Sequence, residues 1–227
     1  MIGIICAEVE ELEAVKKHMK DIKTEGKFNN TFYLGTIGKE KCVVTLSRVG
    51  KVNAARSTQL LIDYYIPDYI INCGVAGGLG ENIKIGDIVI GEKLVQYDMD
   101  ITAYGREKGE LPDGLGKYIY SNKILVDRAK KVLDGIEKVD GVIGTIASGD
   151  KFVTNVEESE QIHKEFEADC CEMEGASVAQ VCFIDAIPFI VIRSISDCPN
   201  DNNKVDFDTF LKNSSEIVAN FIESFLK

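Results

Sequence analysis

The chain has 227 residues, 45% hydrophobic and 28% charged, and its 37 acidic side chains outnumber 26 Lys and Arg to give a net charge of −11. That is enough chain to bury a sizeable core, and with 4 Pro, 20 Gly and no biased tract it is neither disordered nor fibrous in character. The acidic excess repels phosphate backbones and anionic lipid, so nucleic-acid and membrane-surface binding are not expected, and no apolar run is long enough to span a bilayer.

The N-terminal MIGIICAEVEELEAV turns acidic too soon for a secretory signal. The seven cysteines lack CxxC spacing and lie mostly in apolar runs, so they read as reduced packing residues of a cytoplasmic protein. His18 and His163 have no Cys or His at ligand spacing, so no metal site is expected.

In chain order, IGIIC reads as a buried parallel strand, and Val9, Leu12, Val15 and Met19 recur at helical spacing to predict an amphipathic helix over 8–20. TFYLGTIG and KCVVTLSRVG flank a Gly38–Lys39 turn as a hairpin. NAARSTQLLIDYY predicts a helix that Pro67 stops, before the strand YIINCG and the loop GVAGGLG. A strand around IKIGDIVIGEKLVQYD, a helix over SNKILVDRAKKVLDGI and the strand GVIGTIASG follow. Helices over 156–166 and 174–184, the strand PFIVIRSIS and a closing helix from Phe207 to Leu226 complete the series. Strands alternate with helices and no linker or repeat divides them. The expected fold is a single three-layer α/β domain over 1–227, with a mixed, mostly parallel central sheet flanked by helices.

Ligands of such sheets bind beyond the carboxyl ends of strands, and polar or glycine-rich residues cluster there. They are Glu8–Glu11, Ser47–Gly50, Gly74–Gly78, Ser148–Phe152 and Arg193–Asp197, together with Cys171–Gly175 where an apolar stretch meets a new helix. Each has a plain structural reading. Glu11 suits a helix first turn, Asp197 suits an N-cap, and GVAGGLG lacks the spacing of a phosphate-binding fingerprint. The acidic pair Glu172 and Glu174 enters an apolar helix, which costs desolvation unless partners or a ligand compensate it.

Taken together these pieces resemble the nucleoside phosphorylase/hydrolase superfamily, and within it the 5′-methylthioadenosine/S-adenosylhomocysteine nucleosidases. The matching segments run in order along the chain: IGII-A-x-x-EE-L, VGKVNAA, INCGVAGGL, KIGDIVI, D-x-D-I-T-A-Y-G, GELP, SGDKFV, EMEGAS, PFIVIRSISD and FDTFL. The resemblance implies hydrolysis of the N-glycosidic bond of methylthioadenosine and S-adenosylhomocysteine, and of 5′-deoxyadenosine as a further candidate, releasing adenine. It implies no metal or other cofactor, a small nucleoside as partner, and a homodimer whose second copy completes the 5′ pocket.

Cleaving that bond requires a proton for the departing base, stabilisation of a cation-like ribose, and a base for the attacking water. The resemblance assigns Asp197, oriented by Ser196, as the acid, and Glu11 as the water-activating base. Glu174 would hold the ribose hydroxyls, with Met173 and Glu172 beside it and Arg193 near the water. Phe152 would stack on adenine while the Val153 backbone pairs with its edge. Val49, Ile101, Tyr104 and Phe207 would make the 5′ pocket apolar, with Val75 near the water.

Some positions depart from the family pattern. Glu8 stands where a Met is common, Val75 where the loop usually has Ser, Arg48 where nucleosidases often have Gly, and Arg106 where an aromatic often contributes. A Glu8–Arg48 ion pair at the rim is the expectation, the alternative being recognition of a polar 5′ substituent or, for Arg48, of phosphate. Two other functions remain open: a purine nucleoside phosphorylase of the same fold, against which Glu11 argues by repelling phosphate, and a non-catalytic nucleoside-binding protein.

Overall fold

The computed structural model describes residues 1–80, 82–112, 114–137, 139–198 and 207–227, the side chains of 207–209 excepted. At the centre, β1 (Ile2–Cys6) is buried along its whole length and lies parallel between β4 (Glu40–Leu46) and β5 (Tyr69–Gly78). Ile4 faces Val44 on one side and Ile71 on the other, the all-apolar pattern of a strand covered on both faces. β5 also pairs in parallel with β10 (Phe189–Asp197) and meets β9 (Cys170–Glu172) antiparallel at Gly77 and Gly78.

From β10 the sheet continues antiparallel to β6 (Ile88–Gln96), then parallel to β8 (Gly141–Ser148) and on to β9. The strands β5, β10, β6, β8 and β9 therefore close on themselves as a small barrel at one end of the sheet. The short β7 (Ile119–Tyr120) pairs with β6. At the opposite edge, β2 (Met19–Lys27) and β3 (Asn30–Ile37) extend the sheet antiparallel from β4.

Helices cover both faces. α1 (Val9–Lys16), α3 (Lys123–Gly135) and α6 (Phe207–Phe225) bury Leu12, Val15, Leu125, Ala129, Val218, Phe221 and Phe225 against one face. In α6 the residues Val218, Phe221, Ile222 and Phe225 recur every three or four positions, so the helix presents one continuous apolar stripe. Burial of each such side chain contributes about 1.5–3 kcal/mol.

On the other face, α2 (Lys51–Tyr65) and α5 (Gly175–Ile184) bury Ala54, Leu61, Val178 and Cys182. α4 (Val156–Phe166) seals the barrel end with Ile162 and Phe166 over Leu79, Val95 and Ala147. α2 ends at a left-handed Ile66, one residue before Pro67, as the proline requires. Six of the cysteines are buried in these layers, and Cys198 is half-buried. Among the described residues no helix is long and apolar enough to cross a membrane.

The three-layer α/β architecture is the expected one, with three local corrections. The expected GVAGGLG loop is strand as far as Gly78, because its glycines and small residues pair with β10 and β9. The first helix stops at Lys16, and Met19, expected on its buried face, instead opens β2. β2 was not legible because MKDIKTEGK is an edge strand exposed along most of its length, so no apolar alternation marks it.

Candidate active site

The ends of β1, β4, β5, β8, β9 and β10 converge on one cleft, open to solvent. Its walls include Glu8, Glu11, Val49, Val75, Phe152, Met173, Glu174, Ser196 and Asp197. A smaller recess beyond Phe152 adds Lys151 and Val153.

Glu11 sits in the first turn of α1, where the helix dipole favours a carboxylate. It is buried, and its two oxygens accept three backbone N–H bonds: Val75 at 2.9 Å, Ala7 at 2.7 Å and Glu8 at 3.0 Å. Burial raises its carboxyl from the ordinary value, while Arg193 and these amides pull it back toward ionisation.

Arg193, in the middle of β10, is wholly buried behind the cleft wall. Its Nη2 binds the carboxylate of Glu172 and donates to Asn72 Oδ1 at 2.7 Å, with Glu174 Oε2 at 3.8 Å. Its Nη1 turns the other way, toward Glu11. A Cβ on Gly74 would lie 2.3 Å from that nitrogen and 2.4 Å from Glu11 Oε1, so only glycine leaves the two groups facing each other.

Glu172 and Glu174 differ in what they are free to do. Both oxygens of Glu172 are engaged by protein: Oε1 by the Ser148 hydroxyl, and Oε2 by Arg193 and by the amides of Glu174 at 3.0 Å and Gly175 at 2.7 Å. Glu172 thus lines the cleft yet serves to hold Arg193 and to satisfy the start of α5. Among the described residues Glu174 accepts a hydrogen bond only from the Gly50 amide, at 2.8 Å, which a positive φ of 100° at Gly50 directs inward. Burial, then the neighbouring Glu172 charge, pushes its carboxyl up to about 8.

At the other end of the cleft a bulge in β10 between Ile195 and Asp197 turns the Asp197 side chain toward Gly77. Asp197 Oδ1 accepts one hydrogen bond, from Ser196 Oγ at 2.8 Å. Burial raises the carboxyl, and the serine only partly offsets it. Phe152, 53% exposed, and Met173 stand between the two ends as apolar surface.

Ile101 and Tyr104 are not among the walls of this cleft, and Tyr104 is 86% exposed; a short 3₁₀ turn at Thr102–Tyr104 carries it outward. The Phe207 side chain lies outside the described residues. The expected Glu8–Arg48 ion pair does not form. Arg48 is exposed, makes no ion pair among the described residues and is not part of the cleft. Its φ of 72° lies in the left-handed region, which is why glycine suits this position.

Residues that sequence reasoning passed over include Asn72, buried in the run YIINCG, which donates to Ile5 O at 3.0 Å while its oxygen holds Arg193. A lone amide inside an apolar strand was the available signal.

Comparison with known proteins agrees with this geometry. The family model described as the phosphorylase superfamily matches residues 1–227. A 5′-methylthioadenosine/S-adenosylhomocysteine nucleosidase of Shewanella loihica is 38% identical over 227 residues, covering 100% of this chain and 98% of that protein. One from Staphylococcus carnosus is 39% identical, covering 99% of this chain and 100% of that protein. The crystal structure of the Neisseria meningitidis nucleosidase in complex with methylthio-immucillin-A superposes with a TM-score of 0.95 at 35% identity, covering 100% of this chain and 98% of that one. A barrel-closed α/β sheet with its carboxylates gathered at the strand ends, matched along its whole length, places this chain in the phosphorylase superfamily, among the 5′-methylthioadenosine/S-adenosylhomocysteine nucleosidases.

Proposed function

We propose that the protein hydrolyses the N-glycosidic bond of 5′-methylthioadenosine and S-adenosylhomocysteine, releasing adenine. One observation carries this reading: two carboxyl groups with opposite surroundings share a cleft. Glu11 is wrapped in amide donors beside Arg193, and Asp197 is half-buried with a single hydroxyl donor among the described residues. In this reading adenine lies between Phe152 and Asp197, whose raised carboxyl delivers the proton to the base, and the Val153 backbone meets the purine edge. Ribose lies against Met173, with its hydroxyls on Glu174, and charge building on the ribose favours ionisation of that carboxylate. Water between Glu11 and Arg193 Nη1 gives its proton to Glu11 as it attacks the anomeric carbon.

Phosphorolysis is the weaker reading. Arg48 is the departure that would favour phosphate, yet it lies outside the cleft, and a carboxylate occupies the nucleophile's position. A non-catalytic binding protein would not need Glu11 and Asp197 held so differently.

A homodimer belongs to the same proposal. Tyr104, Val52, Phe183 and Ile184 are all exposed apolar groups, and Tyr104 and Ile101 are free to complete the 5′ pocket of a second copy. We place the protein in the cytoplasm on its sequence character. The deciding measurement is adenine release from methylthioadenosine in phosphate-free buffer. Turnover there yields the free thioribose; an absolute need for phosphate would sink the hydrolase.

A further inference from the structure

The absence of the Glu8–Arg48 pair leaves a carboxylate without a counter-charge at one end of the cleft. Glu8 is the N-cap of α1, in a capping box with Glu11, and lies in the cleft wall beside Ala7, Glu11 and Val49. It is half-buried, and among the described residues no Lys, Arg or His forms an ion pair with it. Its charged neighbours are Glu11 and Glu10, and burial followed by these two carboxylates raises its own carboxyl. Arg193 forms no ion pair with it: its Nη2 holds Glu172 and Asn72, and its Nη1 faces Glu11.

The chain direction fixes which end this is. β5 passes from Val75, bonded to Glu11, to Gly77, against Asp197. With the base at Asp197 and ribose at Glu174, the 5′ substituent leaves past Val49 and Glu8. A group there meets one apolar wall and one carboxylate with no cation to neutralise it. A ligand seated there displaces water from the cleft, and the two charges then act on each other more strongly than in bulk solvent.

We propose that Glu8 is a specificity-determining residue that favours 5′ substituents carrying a positive charge or a hydrogen-bond donor over those ending in a carboxylate. The inference rests on the nucleosidase reading for the orientation of the substrate, and it narrows the substrate class. Among 5′-thioadenosines, alkyl and aminoalkyl thioethers are the preferred substrates. The zwitterionic homocysteine tail is accepted through its ammonium group.

The test uses three 5′-thioadenosines of similar length, carrying a propyl, an aminoethyl or a carboxymethyl group on sulfur. Adenine release is measured at mildly alkaline pH for wild type, Glu8→Gln and Glu8→Met, and Kd by calorimetry for the same three in an Asp197→Asn background that binds without turnover. The expected wild-type preference for aminoethyl over carboxymethyl is at least about tenfold in both kcat/KM and Kd, collapsing to within about threefold in both variants. A wild-type ratio near one, or a preference that persists in both variants, overturns the proposal. Failure of the nucleosidase reading looks different: no adenine is released from the propyl compound, whatever the charge preference in Kd. Because the readout is a ratio within each protein, a general loss of activity in one variant does not imitate the effect.

Discussion

The two ends of the cleft use the same functional group under opposite conditions. Glu11 and Asp197 are both carboxyl groups raised by burial, and burial alone would make both of them acids. Three amide donors, a helix N-terminus and a facing guanidinium act on Glu11, whereas one serine hydroxyl acts on Asp197. Donors that point at an oxygen favour its ionised form, so in the proposed mechanism the count of donors divides the tasks of base and acid. The backbone carries most of that division, because the amides of Ala7 and Glu8 follow the end of β1 and that of Val75 lies in β5 just beyond its pairing with β1.

Removing either end outright should break the comparison most visibly. Asp197→Asn cannot deliver a proton and should lose about 10²–10⁴-fold in kcat while still binding methylthioadenosine in calorimetry. Glu11→Gln should fall by a similar factor, and its amide would also set N–H against N–H where three donors now converge. Wild-type turnover by either variant would remove that residue from the mechanism.

Glu172→Gln tests the support behind the Glu11 end. The pair with Arg193 is wholly buried, so removing one charge should cost about 3–5 kcal/mol in urea unfolding. Activity should fall as well, because Arg193 is then free to swing toward Glu174 or Glu11. An unfolding midpoint like that of wild type would show that Asn72 and Glu174 hold the guanidinium unaided.

Ser196→Ala sharpens the contrast at the other end. The hydroxyl lowers Asp197, so its loss should raise the carboxyl further and extend activity to higher pH. The alkaline limb of kcat/KM should move upward, with less than about a tenfold change at the optimum. A downward movement would show that the serine acts on something other than the acid.

The smallest effect concerns Glu174, whose folded carboxyl is raised from 4.5 to about 8. The folded state therefore holds a proton that the unfolded chain has released across that interval. This contribution to stability is complete below the lower value and is lost as pH rises through the upper one. The Tm of the ligand-free protein should decline across this window, and Glu174→Gln should flatten the decline. An equally steep decline in the variant would assign it to another group.

Much of this was legible in the residues themselves. Apolar runs such as IGIIC and the PFIVI of PFIVIRSIS marked the central strands, since a strand covered on both faces is mostly apolar. Pro67 and the amphipathic pattern of α3 placed a helix end and a helix face, and the polar residues at the strand ends named the cleft. The edge strand β2 stayed hidden because neither of its faces is buried for most of its length.

Partnership was settled only by the tertiary structure. Glu172 and Glu174 are two residues apart and chemically identical, yet Ser148, Arg193 and two amides fill the first while the second keeps room for a ligand. Arg48 and Glu8 looked like a pair in sequence, and a left-handed backbone at Arg48 leaves that side chain exposed and outside the cleft. Sequence determines which groups are present and which faces they occupy. Which charge meets which depends on directions a few ångströms long, set where strands that are distant in sequence come together.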